Sequence, residues 1–304
     1  MRTETTTSID TRGDATPNRI APRPRLITQG DALRAAVVAE KLAGRTVGLV
    51  PTMGALHEGH LSLVDAAAAE CDVTVATVFV NPTQFGPEED FRRYPRNLDQ
   101  DMRLLAERGV DVVFAPSNDE MYRPNHATFV DVGPLGRTLE GEFRPTHFRG
   151  VATVVLKLFL LAPAQRAYFG RKDYQQTLVV RQLVADLNVP IEVRVCPTVR
   201  EPDGLAMSSR NAYLSADQRG RARALSRSLQ LAERLVTGGE RDVKTIRDAM
   251  RQEIEDAGGI ALQYIAFAAD GTLEAVERID GPTTVALAAT VGKTRLIDNT
   301  LLNG

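Results

Sequence analysis

The sequence predicts an α/β protein: a Rossmann-like, doubly wound parallel sheet followed by a smaller C-terminal α+β domain. Strand-like and helix-like segments alternate from about residue 30 to residue 196, which is typical of a parallel sheet covered by helices. The run Asp72–Val80 is nearly all apolar or β-branched, as strands buried on both faces are. After Val199 the pattern changes to charged amphipathic helices and short strands. We therefore divide the chain into residues 1–25, 26–198 and 199–304.

Each element of the large domain carries its own signal. Val179, Leu183 and Leu187 recur at helical spacing, Gly109 stands where an earlier helix ends, and Asp31 is placed to cap the first helix. The predicted strands are Thr46–Val50, Asp72–Val80, Asp111–Ala115, Ala167–Phe169 and Ile191–Val195. The predicted helices are Asp31–Ala43, Leu61–Glu70, Leu98–Arg108 and Tyr174–Leu187, and Gly150–Leu161 is either an apolar helix or a long buried segment.

The smaller domain has a different order of elements. Two helices come first and three strands follow, so its sheet is not interleaved with helices. The helices are predicted at Ser215–Val236 and Val243–Ala257, and the strands at Leu262–Phe267, Thr284–Ala289 and Thr294–Ile297.

Composition excludes several classes of protein. The net charge of −2 provides no electrostatic footprint for nucleic acid, and no apolar run is long enough to cross a membrane. Cys71 and Cys196 are the only cysteines, which suggests no disulfide framework and fits a reducing, cytoplasmic location. Residues 1–25 are rich in Thr, Arg, Asp and Pro and lack an apolar signal-peptide core, so we interpret them as a disordered tail.

The most informative motif is Pro-Thr-Met-Gly-Ala-Leu-His-Glu-Gly-His over residues 51–60, between a predicted strand and a predicted helix. His57 and His60 are three apart and share a face of the first helical turn, where free backbone N–H groups favour an anion. Gly54 and Gly59 allow close approach of the backbone to a ligand. The motif predicts phosphate chemistry. A zinc site would need further ligands, and a turn with surface histidines is the structural alternative.

A second polar segment, residues 81–86, follows the next strand and reaches the same edge of the sheet. Gln84 can donate and accept hydrogen bonds, which suits a substrate with hydroxyl and carboxylate groups. An ordinary Asn-Pro turn is the alternative. Acidic residues that follow are either Mg²⁺ ligands or a solvated surface: Glu88, Glu89, Asp90, Asp99 and Asp101.

Two further segments carry cations and polar groups. Lys172 lies before a predicted helix, well placed for polyphosphate, and Gln176 falls within the first turn or so of that helix. Met207-Ser208-Ser209-Arg210 lies in a loop after the last strand of the sheet, where two hydroxyls and a guanidinium form a phosphate clamp. Each alone could be a surface turn, but together with the histidines they predict a nucleotide site.

On these residues the chain resembles the pantoate–β-alanine ligase family. Residues 57–60 are similar to the family's version of the HIGH signature of adenylate-forming nucleotidyltransferases, and residues 207–210 are similar to its counterpart of the KMSKS loop. These signatures alone indicate only the superfamily. The longer strings that carry the resemblance are Pro51–His60, Phe79–Gly86, Lys172–Gln176 and Pro197–Asn211. The resemblance covers residues 26–304.

The resemblance implies a two-step ATP-dependent reaction in which the phosphates carry Mg²⁺. It also implies a cytoplasmic protein that forms a homodimer. Pantoate attacks ATP to form a pantoyl adenylate, and β-alanine then releases AMP. Gln84 and Gln176 would bind pantoate, with Gln84 near β-alanine. His60 is implied as general acid, with the other catalytic residues His57, Lys172, Ser208, Ser209 and Arg210 on the phosphates. The implied nucleotide-binding residues are Met53, Gly54, Ala55, Leu56, His57, Glu58, Gly59, His60, Gly170, Arg171, Lys172, Asp173, Val199, Met207, Ser208, Ser209 and Arg210.

One position departs from the family pattern, which usually has Glu where this chain has Arg171. We expect Arg171 to point away from the phosphates, since its neighbour Lys172 takes that role; an added phosphate contact is the alternative.

Other functions compete with the ligase. A simple nucleotidyltransferase would share both signatures but has no reason to carry the two glutamines. An aminoacyl-tRNA synthetase is disfavoured because the chain lacks a basic RNA-binding region. A nucleotide sensor without chemistry would not need the histidines, Lys172 and the Ser-Ser-Arg triplet together.

Overall fold

The computed structural model describes residues 23–87 and 89–303. Its strands are β1 Arg25–Ile27, β2 Val47–Thr52, β3 Val73–Val78, β4 Val112–Phe114, β5 Arg166–Gly170, β6 Glu192–Cys196, β7 Ile260–Ala269, β8 Thr283–Val291 and β9 Thr294–Leu302. Its α-helices are α1 Gly30–Leu42, α2 Glu58–Glu70, α3 Leu98–Glu107, α4 Asn118–Met121, α5 Glu140–Phe143, α6 His147–Leu161, α7 Tyr174–Asp186, α8 Ala216–Thr237 and α9 Val243–Asp256. Short 3₁₀ turns occupy Pro82–Gln84, Asp90–Arg92, Gly133–Gly136, Arg171–Asp173 and Ser209–Tyr213.

Six parallel strands form the first sheet, in the order β1-β4-β3-β2-β5-β6. The chain runs outward from β2 through β3 to β4, and then returns to place β5 on the other side of β2. The strand order therefore reverses between β2 and β5, and ligands of open α/β sheets bind outside the carboxyl ends of the strands at such a point. The predicted doubly wound sheet is confirmed.

Helices cover both faces of this sheet. Neighbouring residues of β2 point to opposite faces: Leu49 packs in the same buried cluster as Phe148 of α6, and Val50 packs in the cluster that holds Leu61 of α2. Both faces of β2 are buried, which explains why a central strand of this sheet is a continuous apolar run in the sequence.

The smaller sheet is antiparallel, in the order β7-β8-β9, and α8 and α9 pack against it. Helix α8 begins with a capping box in which Ser215 and Gln218 each accept from the other's backbone N–H. The predicted α+β character of the C-terminal part is confirmed, with strands longer than the sequence indicated.

Some local predictions are wrong. The first strand, β1, was not predicted. Its Arg25 pairs with Val112, although residues 1–25 were assigned to the tail. Residues 1–22 of that tail lie outside the described residues. Asp31 does not cap α1, since the N–H of Gly30 bonds to Oε1 of Glu120 at 2.8 Å. This long-range cap has no local sequence signal. Among the described residues, no helix combines the length and the apolar character that a membrane crossing needs.

Candidate active site

A cavity of about 210 Å³ lies at the carboxyl ends of β2 and β5, where the strand order reverses. Residues from all four predicted segments line it together, although they are up to about 150 positions apart in sequence. These residues are Met53, His57, Gly59, His60, Gln84, Gly170, Lys172, Asp173, Gln176, Val199, Met207, Ser208, Ser209 and Arg210.

A larger cleft, about 1020 Å³, adjoins this cavity and shares five lining residues with it: Arg144, Lys172, Asp173, Ser208 and Arg210. Its other walls include β9 and the turn before it, together with the segment around Asp90. The histidines and the predicted glutamines line the smaller cavity instead. We therefore place the chemistry in the smaller cavity and regard the cleft as its approach between the two sheets.

The two histidines are held as a stacked pair. His57 is the N-cap of α2, and its Nδ1 accepts from the N–H of Gly59 at 3.2 Å. The His60 ring lies 4.1 Å away, at an interplanar angle of 30°. Because Nδ1 of His57 accepts, a neutral His57 carries its proton on Nε2 and can donate from that atom. A Cβ on Gly59 would lie 3.0 Å from the His57 ring, so the close packing depends on glycine.

Both imidazoles are neutral at pH 7. Burial and the Lys172 charge lower the pKa of His57 to about 4. Burial, His57 and Lys172 together lower the pKa of His60 to about 3. Within the described part of the chain, the buried Nδ1 of His60 has no hydrogen-bond partner. A neutral pair beside a cation is suited to donating hydrogen bonds to phosphate without placing a second positive charge in the cavity.

Five predicted nucleotide-binding residues lie behind the cavity wall or point away from it. The backbone N–H groups of Ala55 and Leu56 donate to the carboxylate of Asp101 at 3.1 and 2.9 Å. The Glu58 carboxylate accepts from Arg108 at 2.7 Å on the exposed side of α2. The causes differ: the turn before α2 faces Asp101, Glu58 lies on the exposed side of α2, and the Arg171 side chain points to Asp270. The five are Gly54, Ala55, Leu56, Glu58 and Arg171.

Gln84 is oriented by a buried amide network. The Nδ2 group of Asn81 donates to Oε1 of Gln84 at 3.0 Å, and Tyr122 donates to Oδ1 of Asn81 at 2.7 Å. This leaves Nε2 of Gln84, 3.1 Å from Sδ of Met53, as its donor toward the cavity. The orientation supports a role in binding an acceptor such as a carboxylate or hydroxyl.

Lys172 lies in the 3₁₀ turn before α7, 3.6 Å from the Asp173 carboxylate. The Nδ2 group of Asn299, on β9, donates to the carbonyls of Arg171 and Lys172 at 2.9 and 2.8 Å. The C-terminal sheet therefore supports the turn that presents the lysine, a contact that the sequence did not reveal.

The Arg171 side chain leaves this turn in the opposite direction from the cavity. Its Nη2 bonds to Asp270 at 2.8 Å and to Thr284 at 2.9 Å, in the C-terminal part of the chain. The alternative, an added phosphate contact, would require this side chain to leave Asp270 and Thr284. The expectation that Arg171 points away is the one the geometry supports.

The Ser208–Arg210 loop is attached to the segment around Asp90. Arg210 binds the Asp90 carboxylate through two hydrogen bonds of 2.9 and 3.0 Å, and Ser209 lies 3.0 Å from the Tyr94 hydroxyl. Burial raises the pKa of Asp90, but the hydrogen bonds and charge of Arg210 outweigh it, so the net shift is downward. The predicted phosphate contact of Arg210 therefore requires its guanidinium to exchange or share this carboxylate.

Sequence reasoning missed several other lining residues. Tyr94, Arg144 and His147 lie far from the motifs, and Nδ1 of His147 lies 3.0 Å from the carbonyl oxygen of Gln84. Arg144 is paired with Glu89 at 2.7 Å. Single residues at unrelated positions carry no spacing signal, so only the fold could find them.

Comparisons with known proteins show the family of the chain. The model of the family described as pantoate-beta-alanine ligase matches residues 25–301. A pantothenate synthetase of Thermotoga neapolitana is 54% identical over 258 residues, which cover 85% of this chain and 92% of that protein. A pantothenate synthetase of Moorella thermoacetica is 53% identical over 271 residues, 89% of this chain and 96% of that protein.

Solved structures show the same similarity. The crystal structure of pantothenate synthetase from Thermus thermophilus superposes with a TM-score of 0.87 and 47% identity, covering 91% of this chain and 98% of that one. Pantoate-beta-alanine ligase from Francisella tularensis, complexed with beta-gamma ATP and beta-alanine, gives a TM-score of 0.76 and 34% identity, covering 91% and 97%. Because sequence and fold match over nearly all of the described residues, the chain belongs to the pantoate-beta-alanine ligase family.

Proposed function

We propose that the cavity carries out the family reaction, the ATP-dependent joining of pantoate to β-alanine, in two steps within one site. The observation that carries this proposal is that the stacked histidines, Lys172 and the two glutamines all line one cavity at the switch point of the sheet. An activating nucleotide and an acid acceptor can therefore meet there without moving between sites.

In the first step, the carboxylate oxygen of pantoate forms a bond to the α-phosphorus of ATP, and the bond to the pyrophosphate oxygen breaks. Charge stabilisation and positioning dominate such a displacement. Lys172 supplies a positive charge, and His57 and His60 donate hydrogen bonds from neutral rings. Because these pKa values lie near 4 and 3, we assign His60 primarily as a hydrogen-bond donor and only secondarily as a general acid. Pyrophosphate is a good leaving group and needs no proton.

In the second step, the amine of β-alanine forms a bond to the acyl carbon, and the bond to the phosphate oxygen breaks to release AMP. Gln84 and Gln176 hold the pantoyl group, with Gln84 oriented by Asn81. Val199 and Met207 border the nucleotide on the other side.

We propose that Mg²⁺ enters with the triphosphate. Within residues 23–87 and 89–303, no three His, Cys, Asp or Glu side chains converge as a ready metal site. Among the candidate ligands, Glu89 and Asp90 are paired with arginines and Asp101 binds backbone N–H groups, while Glu88 lies outside the described residues. An ion held by phosphate oxygens fits this arrangement and neutralises part of their charge.

We also propose a domain organisation, a cellular location and an oligomeric state. Residues 26–198 and 199–304 act as two domains, with the second over the site, and the free Cys71 and Cys196 suit a cytoplasmic location. We propose a homodimer because the family resemblance implies one, and sedimentation velocity of the purified protein tests it.

The experiment that tests the function measures AMP release from ATP and Mg²⁺, with pantoate and β-alanine added separately and together. Rapid AMP release that requires both acceptors supports the ligase. Pyrophosphate release without sustained AMP under every combination would indicate a simple nucleotidyltransferase with another substrate. Bound ATP with no turnover would support the sensor.

A further inference from the structure

Asp101 is a buried carboxylate without a place in the proposed chemistry. It lies in the first turn of α3, and the residue is only 2% exposed. Its Oδ2 accepts from the N–H of Ala55 at 3.1 Å, and its Oδ1 accepts from the N–H of Leu56 at 2.9 Å. Burying an ionised carboxylate without such bonds costs free energy, so the position of Asp101 indicates that it serves to hold these two backbone N–H groups.

The turn that Asp101 binds has an unusual backbone. Gly54 and Ala55 are consecutive residues with positive φ, +79° and +50°. In this turn the successive N–H groups of Ala55 and Leu56 converge on the Asp101 carboxylate, as they do in a backbone concavity that binds an anion. A Cβ on Gly54 would lie 2.8 Å from Oδ2 of Asp101, so glycine is needed for the carboxylate to fit. Ala55 carries a steric penalty there that the surrounding contacts must offset.

The same turn leads directly into the catalytic motif. Leu56 is buried in the core beside α2, and the next residue, His57, is the N-cap whose ring stacks on His60. Strand β2 ends at Thr52, so the path between the strand and the histidine consists only of this turn. The direction in which His57 points therefore depends on how firmly residues 53–56 are held.

We propose that Asp101 is a positioning residue for the reaction: its carboxylate fills the anion concavity of the Gly54–Leu56 turn and thereby fixes the stacked histidines. The concavity is consequently closed to the phosphates, which are directed to the histidines and Lys172. This inference rests on the proposed role of the histidines, and it assigns no metal to Asp101.

The test uses Asp101→Asn in the full-length protein. An amide has nearly the same shape but offers one acceptor oxygen, so one of the two N–H groups loses its bond. The expected result is a fall in kcat for pantoate-dependent pyrophosphate release of about 10²-fold, the loss that a displacement of about 1 Å produces, with the KM for ATP changed much less. The ring signals of His57 and His60 in NMR should shift, while those of His126 should not.

Asp72→Asn is the matched control. Asp72 also accepts two hydrogen bonds, from the N–H and hydroxyl of Thr46 at 2.8 and 2.7 Å, next to the opposite end of β2. It is expected to lose stability without a change in kcat or in the histidine signals. This separates a general structural role from the positioning of the histidine pair.

The outcomes are distinct. Unchanged kcat and unchanged histidine signals in Asp101→Asn would overturn the inference. Shifted signals with unchanged kcat would instead overturn the proposed catalytic role of the histidines. If the variant does not fold, amide exchange in the unmodified protein provides the test: the inference requires slow exchange at Ala55 and Leu56, and rapid exchange at both would overturn it.

Discussion

The histidine turn and the Ser208–Arg210 loop face the same cavity but are held in different ways. The turn is fixed by hydrogen bonds from its backbone N–H groups to the side chains of Asp101 and His57, and its two rings are uncharged at pH 7. In the loop, the one charged group, Arg210, is bound to a carboxylate from the other side of the cleft. In the proposed mechanism, the first wall is in place before phosphate binds, whereas Arg210 on the second must exchange its bond to Asp90 for one to substrate. Groups that are already in place should therefore contribute more to the rate.

The largest expected effect is at Lys172, whose charge acts on the two histidines of the first wall. Lys172→Ala should lower pyrophosphate release by about 10²–10³-fold, or about 3–4 kcal/mol, because a cation aimed into the cavity is lost. The folded state should persist, as judged by circular dichroism, since the backbone of the turn is held by Asn299. Lys244→Ala, on an exposed face of α9, is the control. Near-normal release from Lys172→Ala would remove this lysine from the mechanism.

The next effect concerns the neutral histidines and pH. An unfolded imidazole binds a proton below about pH 6.5, but the folded rings resist protonation down to about pH 4 for His57 and about pH 3 for His60. The free energy of unfolding should therefore decrease as the pH is lowered from about 6.5 to about 4 for His57, and to about 3 for His60. The decrease is up to about 1.4 kcal/mol per pH unit for each ring. Urea titrations at several pH values measure it.

The control for the pH effect is the double variant His57→Gln/His60→Gln. It should lose this part of the pH dependence, because glutamine does not titrate. An identical slope in both proteins would contradict the burial of neutral rings.

A smaller effect is expected on the other wall. Arg210→Ala should lower the rate of adenylation by about tenfold, or about 1.4 kcal/mol, because Asp90 already neutralises much of the arginine's charge. The same pyrophosphate assay measures it, with Arg210→Lys as the companion variant. A loss as large as that of Lys172→Ala would show that Arg210 leaves Asp90 and binds substrate fully, and the contrast between the two walls would disappear.

The smallest effect on activity is expected at Arg171, although the family usually has Glu there. Arg171→Glu should keep kcat within about tenfold of the unmodified protein, because the side chain points to Asp270 and Thr284. It should lower the melting temperature, since the new carboxylate would face Asp270. Arg171→Met, which removes the pair without repulsion, should lie between the two proteins. A loss of activity of several hundredfold would contradict this assignment.

Local patterns were sufficient for the main elements of the fold. The parallel sheet was predictable because strands buried on both faces read as continuous apolar runs, as Val73–Val78 does. Strand β1 escaped detection because three residues carry no period. The cap of α1 escaped because its acceptor, Glu120, is 90 positions away.

The same distinction between local sequence patterns and contacts of distant residues applies to the candidate site. By itself, the sequence determined which chemical groups are present. Local periodicity indicated where they lie: His57 and His60 on one face of a helical turn, and the lysine and glutamines after strands. Only the tertiary structure decided which of them are available. Asp101 occupies the N–H groups of Ala55 and Leu56, and Asp90 holds Arg210, through contacts between distant segments. A hydrogen bond depends on distance in space, and residues far apart in sequence meet only after the sheet and its helices have packed.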